Sequence, residues 1–504
     1  MRSPLLELFV PHWEDHPDAP FLVRDRAVAH TLGDLASRVR GLAGALHDRG
    51  VRPGDRVSVQ VERHPDSVVL YLAVLWAGAV FHPMNPAYLP EEADYLLSDA
   101  EPALAVRSLA ELGELVAAAD AGPGRAMAEP VDRDADDLAA LLYTSGTTGR
   151  PKGAMISHGN LASNAVALRR AWGFEPDDAV LHVLPVFHAH GLFVACNTSL
   201  ANGTPLVWHD GFDVDAVIDS LAGLDASPVR PTVFMGVPTH YTRLLGSPRL
   251  DRTAVGDVRL FVSGSAPLQA TTHGAFEERT GQRVLERYGM TETLMIASNP
   301  LDGPRIGGTV GYALPGVEVR VVDDSGATLP ARAAGDVQVR GPNVCLGYWR
   351  QPERRAVDTT PDGWFRTGDL GVLADDGRLT LVGRSKDLII SGGYNVYPAE
   401  LERLLDELPG VAESAVVGMP HPEFGESGVA VLVADPAGPV GSPDPDACLQ
   451  ELARHVARYK VPRWAVVVSD LPRNAMGKVQ KAQLRQDLAA GWSRFLQQVQ
   501  DAAD

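Results

Sequence analysis

Up to about Val382 the apolar residues fall in short blocks separated by helical patterns, and this alternation predicts an α/β architecture of sheets covered by helices. Arg56 to Val61 and Leu138 to Leu142 read as buried strands. Thr232 to Val237, ended by Pro238, and Val258 to Val262, ended by Ser263-Gly264-Ser265, read as two more. The longest apolar run, Val68 to Phe81, contains Gly78 and is too short for a bilayer span, which takes about 20 residues, so it is predicted to be a buried helix. On open α/β sheets ligands collect at loops beyond the carboxyl ends of strands, and the chemically suggestive loops of this chain follow its predicted strands.

From Pro315 to Arg340 the pattern changes to short alternating segments, Val317-Glu-Val-Arg-Val-Val322 and Gly335-Asp-Val-Gln-Val-Arg340, with Asp323-Asp-Ser-Gly326 turning the chain after the first. A small antiparallel β unit is expected there. Gly383-Arg-Ser-Lys-Asp387 marks a boundary, so the expected division is a large amino-terminal domain over 1–385 and a small α+β domain over 386–504. Ala117 to Asp137 and Asp435 to Asp446, rich in Pro, Gly, Ala and Asp, are expected to be exposed loops.

Composition narrows the function. A chain of 504 residues exceeds one hydrophobic core, and 45% hydrophobic with 22% charged residues places it among globular proteins that bury a large interior. Its formal charge of -19 argues against a general binder of nucleic acid or anionic membrane, so an anionic cofactor must meet local basic residues. Cys196, Cys345 and Cys448 are far apart and form no metal or redox spacing, which fits a reduced, cytoplasmic setting. Glu7 and two prolines interrupt the amino terminus, so no signal sequence is expected.

Chemistry concentrates first in Thr144-Ser-Gly-Thr-Thr-Gly-Arg-Pro-Lys-Gly153. Gly146, Gly149 and Gly153 let the backbone turn sharply and bring N–H groups close to phosphate oxygens; Ser145, Thr147 and Thr148 add hydroxyls, and Lys152 adds a mobile cation. Because Lys152 follows proline and precedes glycine, the common G-x-x-x-x-G-K-[ST] loop does not fit. The wording instead resembles the phosphate-binding signature of the adenylate-forming superfamily, which includes acyl-CoA synthetases, the adenylation domains of peptide synthetases, and luciferases.

The resemblance extends in order through the chain. Glu286-Arg-Tyr-Gly-Met-Thr-Glu292 resembles the adenine and magnesium motif: Tyr288 would stack on the purine, Gly289 would permit close approach, and Glu292 would hold Mg2+, with Glu286, Arg287, Met290 and Thr291 completing the nucleotide contacts. Asp369, ending Trp364-Phe-Arg-Thr-Gly-Asp369, would take the ribose hydroxyls, and Arg384 the ribose or phosphate side. Lys386 occupies the hinge position, and Ser391-Gly392-Gly393-Tyr394 would line the pantetheine tunnel of coenzyme A. Leu471-Pro-Arg-Asn-Ala-Met-Gly-Lys478 resembles the terminal motif whose lysine serves adenylation.

What the resemblance implies is a two-step ligase using ATP, Mg2+ and CoA. A carboxylate attacks the α-phosphate to give acyl-AMP and pyrophosphate, and a thiol then attacks the mixed anhydride. Lys478, Glu292, Thr147 and His188 are the implied catalytic residues. Val186-Phe-His-Ala-His-Gly191, Val237-Pro-Thr-His-Tyr-Thr-Arg243 and Ser263-Gly-Ser-Ala-Pro267 are expected to form the acyl pocket, and the last two are similar to malonyl-CoA synthetases. A second carboxylate needs a cation once desolvated, which points to Arg243, with Arg287 competing, and to His190 and Ser265 as hydrogen-bonding neighbours. The alternative for Arg243, weighed below its carboxylate role, is a helix arginine facing solvent, while His188 reads equally as a structural histidine. A ligase for medium-chain or aryl acids, and an enzyme loading a carrier protein, keep the same nucleotide motifs and stay open. The expected partners are a small carboxylic acid, malonate favoured, with ATP and CoA, and neither nucleic acid nor a membrane.

Overall fold

A computed structural model describes residues 3–121, 126–144, 151–391, 394–422, 424–435, 442–474 and 477–501. Packing divides the chain into one unit of Met1–Val319 with Val339–Phe365 and another of Arg320–Gln338 with Arg366–Asp504. This division concerns compactness, whereas the hinge expected at Lys386 concerns motion.

Within the first unit, among the described residues, the largest sheet has nine strands. Its centre is parallel: Val284–Met290, Leu260–Ser263, Val233–Gly236, Val180–His182, Leu206–Trp208 and Pro20–Arg24 lie side by side in that order. Antiparallel strands flank it, Leu294–Ser298 and Tyr312–Ala313 at one edge and Ala27–Thr31 at the other. Strands buried on both faces carry continuous apolar runs, which is why the predicted blocks at 232–237 and 258–262 appear as strands. Pro238 then starts the helix Pro238–Leu245, which buries Tyr241 and Leu244. Tyr241 meets Phe276 edge-to-face at 5.3 Å, and its hydroxyl donates to the Val262 carbonyl at 2.7 Å.

A second sheet of the same unit orders Leu104–Val106, Arg56–Val59, Val80–Pro83, Leu138–Thr144 and Lys152–Ser157. Here one expectation is corrected. The run Val68 to Phe81 is not a single helix: Pro65–Trp76 is helical, and Val80–Pro83 is a strand. Between them Gly78 takes a φ of +68°, and a Cβ there would come within 2.9 Å of the Val131 and Arg133 side chains. Apolarity continues through the turn because helix and strand are both buried, so composition does not mark the change. The expected loop from Ala117 likewise begins later, after the helix Leu109–Ala121. The loop expected over 435–446 ends earlier, where Asp444 caps the helix Pro445–Leu452.

The small β unit is larger than its sequence pattern suggested. Glu318–Val322 and Ala334–Arg340 join Phe365–Leu373 and Leu379–Arg384 in a four-stranded sheet, and the last two pair antiparallel. The second unit also holds a five-stranded sheet in which Val411–His421 and Gly425–Ala434 form a long hairpin. Alternation decides its two faces: Val416, Ala430 and Leu432 pack with Leu401, Leu405 and Leu452, while Ala415, Val417, Val429 and Val431 pack with Leu484, Leu488 and Trp492 of the terminal helix Lys481–Asp501. Among the described residues no helix is long and apolar enough to cross a membrane.

Candidate active site

Thr144 and Lys152 face each other across the hairpin Leu138–Thr144 and Lys152–Ser157. The predicted phosphate-loop residues Ser145, Gly146, Thr147, Thr148 and Gly149 fall between these strands, outside the described residues. The stem itself reaches Glu292. Thr144 Oγ1 donates to Glu292 Oε1 at 3.3 Å, and the Tyr348 hydroxyl donates to the same oxygen at 3.0 Å. Lys152 is 8% exposed, with Nζ 5.6 Å from the centre of the Tyr348 ring. Burial, and then the charge of Arg354, hold its ammonium below the usual lysine range, while Asp358 and Glu292 pull the other way.

Glu292 follows the strand Val284–Met290, and Gly289 explains how the chain turns there. A Cβ at Gly289 would collide with the Leu294 carbonyl, and Leu294 itself sits in the left-handed region at φ +50°. Glu292 is 6% exposed, and no described residue donates to its Oε2. Among the described residues no group of three metal-ligating side chains occurs. One carboxylate with a free oxygen still fits Mg2+, which is commonly held by one or two carboxylates with water and substrate phosphates.

Strand alternation separates the other residues of this motif. Glu286 accepts the Leu268 N–H at 3.1 Å, and burial pushes its carboxyl up to about 8, so it ties neighbouring backbone together inside the fold. Tyr288 is buried, while Met290 and Thr291 are half-buried. Arg287 points to the opposite face, where a Cβ at Gly264 would collide with its guanidinium. It is 4% exposed, Nε and Nη2 have no hydrogen-bond partner, and burial lowers its pKa to about 9.

His188 and His190 share the environment of Arg287. Burial, reinforced by that guanidinium, lowers His188 to about 4 and His190 well below the usual histidine value, so both rings are neutral. The His190 N–H donates to His188 Nδ1 at 3.4 Å, which leaves the ring proton of His188 on Nε2. His190 Nδ1 lies 3.2 Å from Ser265 Oγ, and Ser265 adopts φ +74° to bring its hydroxyl there. His190 Nε2 is buried without a partner.

The structure thus gathers Arg287, His188, His190 and Ser265, and it leaves Arg243 one layer out. Arg243 is exposed, with its guanidinium over the Phe212 ring at 5.1 Å; Phe212 in turn lies parallel to His240 at 4.0 Å. Sequence reasoning missed the support beneath this cluster. Half-buried Arg63 donates to His182 Nδ1 at 2.9 Å and to the Leu184 and His209 carbonyls. His182 Nε2 then carries the proton given to the Gly191 carbonyl at 2.9 Å, which pins the start of the π-helix His190–Cys196. Neither residue belongs to a short motif, so only the fold reveals them. Tyr348 was missed as well, although it stands in Leu346-Gly-Tyr-Trp349, a glycine and aromatic step of the kind that packs closely.

In the second unit Asp369 faces Arg384 across the strand pair, with Arg384 Nε 2.8 Å from Asp369 Oδ1. The Asp369 N–H donates to Thr367 Oγ1 at 3.1 Å. Lys386 lies in the 3-10 turn Ser385–Asp387. Ser391 is buried and Tyr394 is exposed against Tyr459, with ring centres 4.7 Å apart; Gly392 and Gly393 fall outside the described residues. Lys478 closes a turn in which Asn474 Oδ1 accepts its N–H at 3.0 Å. Burial and then Arg384 lower the Lys478 ammonium to about 8, Asp369 opposing.

Comparison with known proteins gives this geometry a context. A family model described as AMP-binding enzyme matches residues 9–349, and one described as AMP-binding enzyme C-terminal domain matches 400–478. The chain is similar to a feruloyl-CoA synthase from an Amycolatopsis species, at 37% identity over 92% of this chain and 95% of the relative. A malonate–CoA ligase from Xenopus laevis shares 34% identity over 91% and 88%. Among solved structures, ATP-bound MatB from Rhodopseudomonas palustris is 44% identical with a TM-score of 0.88, covering 97% of this chain and 99% of that one.

Proposed function

The chain belongs to the AMP-binding enzyme family and is an ATP-dependent acyl-CoA ligase, and from that premise we propose that its acid substrate is a short dicarboxylate, malonate or methylmalonate. The observation that carries this reading is the buried Arg287 guanidinium with two unpartnered donors beside two neutral histidines. Removing a cation from water costs several kcal/mol, and only an anion with good geometry offsets that cost. A distal carboxylate supplies the anion; a neutral acyl chain does not. The Nε2–H of His188 and the hydroxyl of Ser265 add donors for the same acid, and Arg243 stands outside as a second cation that draws dianions towards the site.

In the first step the proximal carboxylate attacks the α-phosphate of ATP and pyrophosphate leaves. Glu292 would hold Mg2+, which supplies charge neutralisation on the phosphate oxygens. Lys152 meets the polyphosphate from the hairpin stem, Asp369 the ribose, and Lys478 offsets the charge that develops as the new bond forms. In the second step CoA attacks the acyl-AMP carbonyl and AMP leaves, with Ser391 to Tyr394 serving the thiol and Lys386 as the pivot between steps.

The test is thioester formation from Mg2+, ATP and CoA with malonate, methylmalonate, acetate, octanoate and 4-coumarate in parallel. Preference for the dicarboxylates is expected. The similarity to a feruloyl-CoA synthase supports an aryl acid as the second reading, and preference for 4-coumarate would replace the dicarboxylate assignment with it. AMP release with malonate but without a thioester would point to a carrier protein as acceptor.

A further inference from the structure

Tyr348 lies outside every motif that the sequence reading used, yet it touches two of them. Its backbone is locked to the strand that Lys152 opens: Tyr348 bridges Ala154, the Trp349 N–H donates to the Gly153 carbonyl at 2.8 Å, and the Met155 N–H donates to the Gly347 carbonyl at 2.9 Å. From that fixed position its ring lies beneath the Lys152 ammonium and its hydroxyl donates to Glu292 Oε1. Thr144 donates to the same oxygen from the other strand of the hairpin. Both donors therefore engage Oε1, and Oε2 is left for a cation. Tyr348 is 8% exposed, so this hydrogen bond is made away from bulk water.

We propose that Tyr348 is a positioning residue that orients Glu292 to bind the divalent cation through Oε2 alone, and that it couples this carboxylate to Lys152 through one rigid ring. The inference rests on the reading of Glu292 as the cation-binding carboxylate. Hydrogen-bonding partners of a metal ligand fix its orientation, and their loss commonly weakens metal affinity by about 10- to 100-fold. The ring contributes separately, because a cation over an aromatic face is stabilised without any hydroxyl.

The experiment titrates Mn2+ into the full chain with α,β-methylene-ATP, follows binding by electron paramagnetic resonance, and measures KM for ATP alongside. Tyr348→Phe is expected to weaken Mn2+ binding about 10-fold while leaving the melting temperature near the parent value. Tyr348→Leu is expected to weaken Mn2+ equally and to raise KM for ATP roughly 3-fold beyond the phenylalanine variant, through loss of the ring under Lys152. Glu292→Gln is the control. If it weakens Mn2+ and Tyr348→Phe does not, the positioning role is overturned while the Glu292 reading stands. If Glu292→Gln leaves Mn2+ binding unchanged, the Glu292 reading itself fails. Equal effects of both tyrosine variants on Mn2+, KM and melting temperature would reduce Tyr348 to a packing residue.

Discussion

Glu292 and Arg287 lie on one strand and the turn that follows it, both almost wholly buried, yet their surroundings are opposite. Glu292 receives two hydroxyl donors on Oε1 and has Lys152 nearby, so one of its oxygens is answered by the protein. Arg287 has two donor nitrogens without a partner, and the titratable groups around it, His188, His190 and Tyr241, are neutral. A buried polar group left unanswered costs stability, so it marks a place where a ligand completes the structure. On the proposed reading, the nucleotide side is largely built in advance, whereas the acyl side awaits a charge. The difference also explains why the acid's identity is read from Arg287 and not from the exposed Arg243.

The largest expected effect comes from breaking the unanswered side. Arg287→Leu should lower kcat/KM for malonate by roughly 30-fold to several thousand-fold, since truncating a buried charge partner costs about 2–5 kcal/mol. Its effect on a neutral acid should be much smaller. The same variant should raise the melting temperature of the substrate-free protein, because it removes an uncompensated buried cation. A lower melting temperature with unchanged malonate kinetics would place the guanidinium in the structural frame instead.

A pH profile sharpens the contrast with a cation that has charged neighbours. Lys478 is lowered to about 8, so the ammonium proposed to serve adenylation is present below that pH and is lost as pH rises through it. Between about 8 and the ordinary lysine value of 10.5 the unfolded chain holds a proton that the folded chain has released, so this residue's contribution to stability rises with pH in that window. Acyl-AMP formation followed by pyrophosphate release should fall by about tenfold for each pH unit above 8, as a single titrating group requires. Thioester formation from supplied acyl-AMP should lack this limb, and a shared limb in both steps would remove Lys478 from the first step alone.

The smallest expected effect is at Arg243. Arg243→Ala should raise KM for malonate by only about 2- to 5-fold, and the change should shrink at high salt, as rim charges mainly steer encounter. A loss as large as that of Arg287→Leu would show that the exposed arginine closes on the substrate and would erase the distinction between the two sites.

The order of motifs was legible in the sequence because each depends on local chemistry. Glycines where the backbone must turn, hydroxyls and a lysine beside them, and a carboxylate after Tyr-Gly need no tertiary information to be noticed. Strands at 232–237 and 258–262 were legible for a similar reason, since double-sided burial leaves an unbroken apolar block. The run Val68 to Phe81 was not, because burial of two successive elements gives the same composition as burial of one.

The amino-acid sequence by itself determined the family, the acyl-CoA ligase class and the candidate residues, since these rest on side-chain types held at short spacings. The tertiary structure alone decided which arginine is buried and unanswered, that Tyr348 joins Lys152 to Glu292, and that Arg63 and His182 support the histidine loop. Those properties depend on which segments, far apart in the chain, are brought together and shut off from water, and short-range spacing carries no record of that.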